Sequence, residues 1–247
     1  MPRFFISEPD GSEAVITGAD AIHIGRSLRM KPGEQLILCS NGTEYISVIK
    51  EISDSTVICN IIEAQPSLAE PDIQLHLFQA LPKSDKMDLI IQKAVELGVY
   101  RIYPVLTERC VSRPDRKSSE RKRQRWQKIA LEAAKQCGRG IIPQIAEIIT
   151  FDECITRLAE LDVSLMCYEK GGVPLRSVDF CSCKSAGLLI GSEGGFEQSE
   201  AKKAEICGIT HATLGNRILR CETAPLAAIS IITVSYTHLR AHETCAD

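Results

Sequence analysis

Leu188-Leu189-Ile190-Gly191-Ser192-Glu193-Gly194-Gly195-Phe196, taken with Leu214-Gly215-Asn216-Arg217-Ile218-Leu219-Arg220-Cys221-Glu222-Thr223-Ala224-Pro225, decides how this chain folds. Each segment sets glycine directly after a short apolar run. There a strand ends, and the backbone must turn tightly or admit a ligand against itself. The second segment adds charged and hydroxyl side chains, then a helix start at Thr223 or Pro225. Two such turns close together predict two walls of one small-molecule site at the carboxyl ends of parallel strands. Glycine-rich turns also occur as plain structural corners. Neither segment carries the GK[ST] of a Walker A loop or the GxGxxG of a dinucleotide fold, which weighs against kinase, ATPase and dehydrogenase readings.

Upstream of these bends the rhythm is strand and helix in alternation, the pattern of an α/β domain with a parallel sheet. Strands are expected at Ile73–Gln79, Arg101–Val105, Ser164–Tyr168, Leu188–Ile190 and His211–Leu214. Helices are expected at Lys86–Leu97, Arg121–Cys137, Glu200–Cys207 and Pro225–Val234, the first closed by Gly98. Trp126 shares a helical face with Ile129, Ala130 and Ala133 and reads as core. Before Gln65-Pro66-Ser67-Leu68-Ala69-Glu70-Pro71, a linker by composition, the chain is different. Short strands at Phe4–Ile6, Ala14–Ile16, Gln35–Cys39, Glu44–Ile52 and Thr56–Ile62 are divided by turn signals, Asn41-Gly42 the strongest. His23–Met30 suits a helical turn. Short strands at this spacing suggest a small β-barrel. The domains are therefore 1–68, a small barrel, and 72–234, the α/β domain, followed by an atypical tail over 235–247.

Composition sets the class. With 247 residues, 44% hydrophobic and 25% charged, the chain has ordinary globular content. No apolar run reaches the roughly 18 residues that cross a bilayer. Met1-Pro2-Arg3-Phe4-Phe5-Ile6-Ser7-Glu8 lacks the apolar core of a signal peptide. A cytoplasmic protein without a membrane partner is expected. Cys39, Cys59, Cys110, Cys167 and Cys207, among 11 cysteines, read as small buried hydrophobes of a reducing compartment. Net charge is −3, which argues against uniform affinity for nucleic acid. The average hides a basic run from Arg109 to Lys128, opposed only by Asp115 and Glu120, able to release counterions from a phosphate backbone or to sit as a solvated helix face.

GSEGGF and LGNRILRCETAP together resemble the signature of the SPOUT RNA methyltransferases, in particular the family that methylates N3 of a uridine in small-subunit ribosomal RNA. In that family the turns usually read GPEGG and LGxRILRxETA, so Ser192 stands where proline is common. Three further segments are similar to the same family: Ala80–Met87 leading into Ile91–Val99, then Pro104–Arg109, and Glu132–Arg139. The resemblance runs from about residue 3 to about residue 234. It implies a trefoil-knot α/β methyltransferase domain, a knot that composition cannot show. It also implies a PUA-like β-barrel that binds RNA, to whose helix-and-turn signature Ala21–Gly33 is similar. The implied function is S-adenosylmethionine-dependent methylation of N3 of a uridine in 16S ribosomal RNA, by a homodimer acting on the small ribosomal subunit. A ribosome-associated RNA-binding protein without catalysis is the alternative, and an unrelated α/β nucleotide enzyme a third.

On that reading the cofactor is held by Gly191, Glu193, Gly194, Gly195, Leu214, Gly215, Ile218, Leu219, Thr223 and Ala224. Leu214, Ile218 and Leu219 make an apolar slot for adenine. The glycine turn lets main chain close on the ribose or methionine part, and Glu193 or Glu222 serves the ribose hydroxyls or the sulfonium. Arg220 stabilises the developing uridine anion, and Glu222 is a candidate proton acceptor. Arg26, Arg29, Lys31, Lys83, Lys86, Arg109 and Arg139 contact RNA. No metal is implied: His238 and His242 with Cys245 in the tail do not form an HExxH motif.

Overall fold

The computed structural model describes residues 1–243 apart from Asp10 and Ser182, with 235–243 described by backbone alone. The tail residues His238, His242 and Cys245 therefore lie outside the described side chains. The chain divides into two units, Met1–Glu70 with Ala134–Ile142, and Pro71–Ala133 with Pro143–Asp247.

In the first unit, β1 (Arg3–Phe5), β2 (Glu13–Thr17), β3 (Gln35–Ser40), β4 (Thr43–Ile52) and β5 (Thr56–Pro66) pair in the order β1-β3-β4-β5-β2. The Asn41-Gly42 hairpin forms: Ser40 pairs with Thr43, and the two turn residues are left-handed at φ 49° and 83°. That geometry matches the twist of the flanking strands. Register shifts at Ile46/Ser47 and Ile49/Glu51 bend the β4–β5 ribbon. The unit's core includes Phe4, Ile16, Ile24, Leu36, Leu38, Ile49 and Val57. Two expectations shift. β5 continues to Pro66, with Gln65 opposite Glu44, so the first part of the expected linker is strand. The helix begins at Gly18 (α1, Gly18–Ile22) and passes into one π-helical turn, His23–Ser27.

Arg139 is the clearest correction in this unit. Expected on RNA phosphate, it is 2% exposed and bound to Glu70, which accepts from its Nη2 at 2.6 Å and Nε at 3.2 Å. The same carboxylate accepts the backbone N–H of Gly140 at 2.9 Å and of Ile141 at 3.1 Å. A Cβ at Gly140 would stand 2.5 Å from Ser67 Cβ, so only glycine lets this segment pack so closely. A guanidinium buried in that way and paired with a carboxylate is withdrawn from any polyanion at the surface.

The second unit is a parallel sheet. Its strands are β6 (Gln74–Ala80), β7 (Arg101–Leu106), β8 (Gln144–Ile145), β9 (Ile149–Thr150), β10 (Val163–Cys167), β11 (Val173–Pro174), β12 (Ser185–Ile190) and β13 (Thr210–Thr213). They run β11-β13-β10-β12-β6-β7-β8, with β9 also on β7, and every pair is parallel. The central strands β6 and β12 are covered on both faces, which is why they read as near-continuous apolar runs. Helix α2 (Lys86–Glu96) buries Met87, Ile90, Ile91, Ala94 and Val95. It ends in a Schellman turn, with Gly98 at φ 93° and Val99 N–H on Ala94 O at 3.0 Å.

α3 (Arg116–Cys137) starts before the expected Arg121. Trp126 is buried and donates to Asp88 at 3.2 Å, a core residue rather than a stacking platform. α4 (Phe151–Ala159) is not among the expected helices; Thr150 and Glu153 form a reciprocal capping box at its start, and Phe151, Cys154, Ile155 and Leu158 recur on one face. α5 spans Gln198–Ile206, and α6 spans Thr223–Glu243, past the end expected at Val234. Ten free cysteines lie among the described residues. Cys39, Cys59 and Cys110 are buried, Cys167 is half-buried, and Cys207 is exposed where α5 has run beyond the core. Among the described residues no helix is long and apolar enough to cross a membrane.

Candidate functional site

Because all strands of the second unit run parallel, their carboxyl ends share one edge, and the loops leaving β10, β12 and β13 are neighbours. Those loops enclose a cavity of about 880 Å³. GSEGGF leaves β12 and LGNRILRC leaves β13; β10 lies between the two strands and its loop, Tyr168-Glu169-Lys170-Gly171, makes a third wall. The two glycine bends thus meet as the sequence implied. The third wall carried no motif and was missed; its only sequence signal was Gly171-Gly172 after an expected strand. Gly172, at φ 138°, lies so close to β13 that a Cβ would stand 2.4 Å from His211 O.

The glycines divide by purpose. Ser192 O accepts Gly195 N–H at 3.0 Å, closing the turn. A Cβ at Gly191 would meet Gly195 Cα at 3.1 Å, and one at Gly194 would meet Arg109 Cβ at 3.0 Å. Both glycines therefore permit protein-on-protein packing rather than ligand approach. Gly215 differs: it lines the cavity at φ 108° with nothing within 4 Å of its Cβ position. There the backbone itself is open to a ligand.

Charge organises the mouth. Lys86 Nζ lies 2.9 Å from Glu193 Oε1 and 3.3 Å from Glu222 Oε2. Lys83 N–H also donates to the Glu193 carboxylate, at 3.2 Å and 3.3 Å. Burial pushes the Glu193 carboxyl up, but the Lys86 ammonium and these N–H groups outweigh it and hold it below the usual carboxylate range. The Cys221 thiol, a backbone N–H and Lys86 hold Glu222 down as well. Burial, with Glu222 as acceptor, pushes the Cys221 thiol up to about 12, so it stays protonated. On the far side Arg109 grips the turn, donating to Gly194 O and to Glu197, each at 2.8 Å.

Of the expected cofactor residues, Gly191, Glu193, Gly194, Gly195, Leu214, Gly215, Ile218, Leu219 and Ala224 line the cavity. Thr223 does not: it is exposed at the start of α6, its N–H donated to Arg220 O at 2.9 Å. Arg220 lines the cavity and is exposed, its guanidinium without a bonded partner among the described residues. Glu222 does not line the cavity, and a carboxylate pinned by an ammonium and a thiol makes a poor proton acceptor. Lys86 and Arg109, expected on RNA, are instead committed to carboxylates and carbonyl of the site itself. Lys83, Arg26, Arg29 and Lys31 are exposed.

Residues 69–233 match the RNA methyltransferase domain family, and residues 16–62 match the RNA methyltransferase PUA domain. The ribosomal RNA small subunit methyltransferase E of Bacillus subtilis is 37% identical over 254 residues, covering 97% of this chain and 99% of its own. This chain belongs to the ribosomal RNA small subunit methyltransferase E family. A family member from Neisseria gonorrhoeae, solved bound to S-adenosyl methionine, superposes with a TM-score of 0.84 at 29% identity, covering 95% of this chain and 97% of that one. A Legionella pneumophila protein solved with the bound cofactor SAM superposes at 0.83 and 30% identity, covering 94% and 97%. The fold is accordingly a PUA domain followed by a parallel α/β RNA methyltransferase domain.

Proposed function

We propose that this protein transfers the methyl group of S-adenosylmethionine to N3 of a uridine in 16S ribosomal RNA of the small subunit. One observation carries the reading: in a chain of this family, both glycine bends line one cavity at the carboxyl edge of a parallel sheet. The residues present suit that cofactor. The cavity's volume, about 880 Å³, lies within the range of small-molecule sites. Ile190, Leu214, Ile218 and Leu219 offer apolar surface to an adenine, the open backbone at Gly215 can approach it, and Glu193 and Glu169 set negative charge beside a cationic ligand. When bound, the cofactor supplies the electrophilic methyl group.

The chain's own task is to orient the base and favour the charge that develops on it. Uridine N3 lies on the pairing edge, so the target base must be unpaired and turned out of its stack. Arg220, always charged and without a bonded partner among the described residues, is assigned to O2 or O4 of the uridine, where negative charge grows as N3 loses its proton. Glu222 is assigned to holding Lys86 rather than to taking that proton.

RNA is assigned to exposed cations of each unit: Arg26, Arg29 and Lys31 in the first, Lys83 in the second. Lys117, Arg121 and Lys128 join them on one exposed face of α3, opposite the buried Trp126 and Ala130. The reading also carries a homodimeric state and a cytoplasmic setting; equilibrium sedimentation tests the former. The central experiment incubates the protein with labelled S-adenosylmethionine and small subunits lacking the modification, then maps the modified base by mass spectrometry. Methyl transfer to a uridine N3 supports the proposal. Calorimetry without heat on cofactor titration would turn the reading to an RNA-binding protein without catalysis.

A further inference from the structure

Lys86 has a role that its sequence context does not suggest. It is the first residue of α2, where a cation meets the positive end of the helix dipole and gains nothing for the helix. Its ammonium is compensated instead by two carboxylates from different loops: Glu193 of the bend after β12, at 2.9 Å, and Glu222 beyond the bend after β13, at 3.3 Å. Cys221 Sγ is 3.9 Å away, and the side chain lines the cavity. The loop that delivers Lys86 is itself constrained. Ser84 is left-handed at φ 56°, a backbone state that a side chain adopts only where its surroundings hold it. In that state Lys83 N–H reaches the same Glu193 carboxylate.

We infer that Lys86 is a positioning residue for the methyl donor: one ammonium, shared by Glu193 and Glu222, ties the two glycine bends into a single binding wall. The inference rests on reading the cavity as the methyl-donor site. Its physical basis is charge. Without the ammonium, two carboxylates that share one nitrogen face each other as like charges, and each bend is free to relax toward solvent. The shifts agree in direction, with Lys86 raised chiefly by Glu193 and both glutamates lowered, so all three groups are ionised across neutral pH. A lysine kept for phosphate would carry its charge unpaired at the surface; this one is spoken for.

The test titrates S-adenosylmethionine by calorimetry into wild type, Lys86→Met, Lys86→Arg and Glu222→Gln, and measures KM for undermethylated small subunits in each. Lys86→Met is expected to weaken cofactor Kd by about tenfold or more, the scale at which misplacing a binding group is felt. Its KM for the subunit should stay at the wild-type value. Lys86→Arg, which keeps the charge, should recover most of the affinity, and Glu222→Gln should fall between. A Lys86→Met protein with wild-type cofactor Kd but a raised KM for the subunit overturns the inference and returns Lys86 to RNA. If Lys86→Met does not fold, Glu222→Gln decides: unchanged cofactor affinity there also overturns it. A wild-type protein that takes up no cofactor fails the methyltransferase reading itself, an outcome separate from the others.

Discussion

Replacing Arg139 by alanine separates two incompatible accounts of one residue. The motif context places Arg139 on RNA; the fold places it against Glu70 with its side chain 3% exposed. Removing the guanidinium leaves a carboxylate 14% exposed that still accepts the N–H groups of Gly140 and Ile141, at 2.9 Å and 3.1 Å. Breaking a buried pair from one side costs about 3–5 kcal/mol, because the remaining charge stays desolvated. At about 2–4 °C per kcal/mol for a chain of this size, the melting temperature should fall by on the order of 10 °C. Arg139→Lys should recover part of this loss, since an ammonium cannot reproduce a two-pronged contact. The assay is urea and thermal unfolding of the three proteins, with subunit binding followed across a salt series. Unfolding within about 0.5 kcal/mol of wild type would refute the buried pair. It would do so decisively if log affinity for the subunit also lost about one unit of slope against log salt, the mark of a lost phosphate contact.

Arg220→Ala should leave unfolding and cofactor Kd unchanged, since the guanidinium has no bonded partner among the described residues, yet lower kcat by about 10²–10³-fold; single-turnover methyl transfer measures this. Gly172→Ala should destabilise by about 2 kcal/mol more than Gly171→Ala, on the order of 3 against 1, as both carry positive-φ strain but only Gly172 faces backbone at 2.4 Å; paired urea titrations give the difference. His76, held down to about 4 from an ordinary 6.5 by burial first and Arg101 second, is neutral in the fold. The stability it contributes is complete above pH 6.5 and drains away as pH falls toward about 4. Urea midpoints across that window should drop in wild type and flatten in His76→Gln.

The local chemistry of this chain was legible wherever neighbouring residues settle it. Asn41-Gly42 could only be a tight hairpin, because both positions take positive φ at small cost. The apolar runs at Ile73–Gln79 and Leu188–Ile190 read as strands, and they lie in Gln74–Ala80 and Ser185–Ile190, strands buried on both faces. Gly191 and Gly215 announced bends at strand ends, and the motif around them announced the family. α4 is signalled in the sequence by the capping pair Thr150 and Glu153. What the sequence could not assign was partnership at a distance. Lys86, Arg109 and Arg139 are three basic side chains in basic surroundings, and a linear reading gives all three to RNA. Folding brings Lys86 to Glu193 and Glu222, Arg109 to Gly194 and Glu197, and Arg139 to Glu70, separations of 69 residues and more along the chain. The order β13-β10-β12 likewise puts the Tyr168–Gly171 loop between bends that neighbour each other in sequence. Backbone preference is a property of a few consecutive residues, so sequence determines it; the partner of a charge depends on which loops share a sheet edge, and only the tertiary structure decides that.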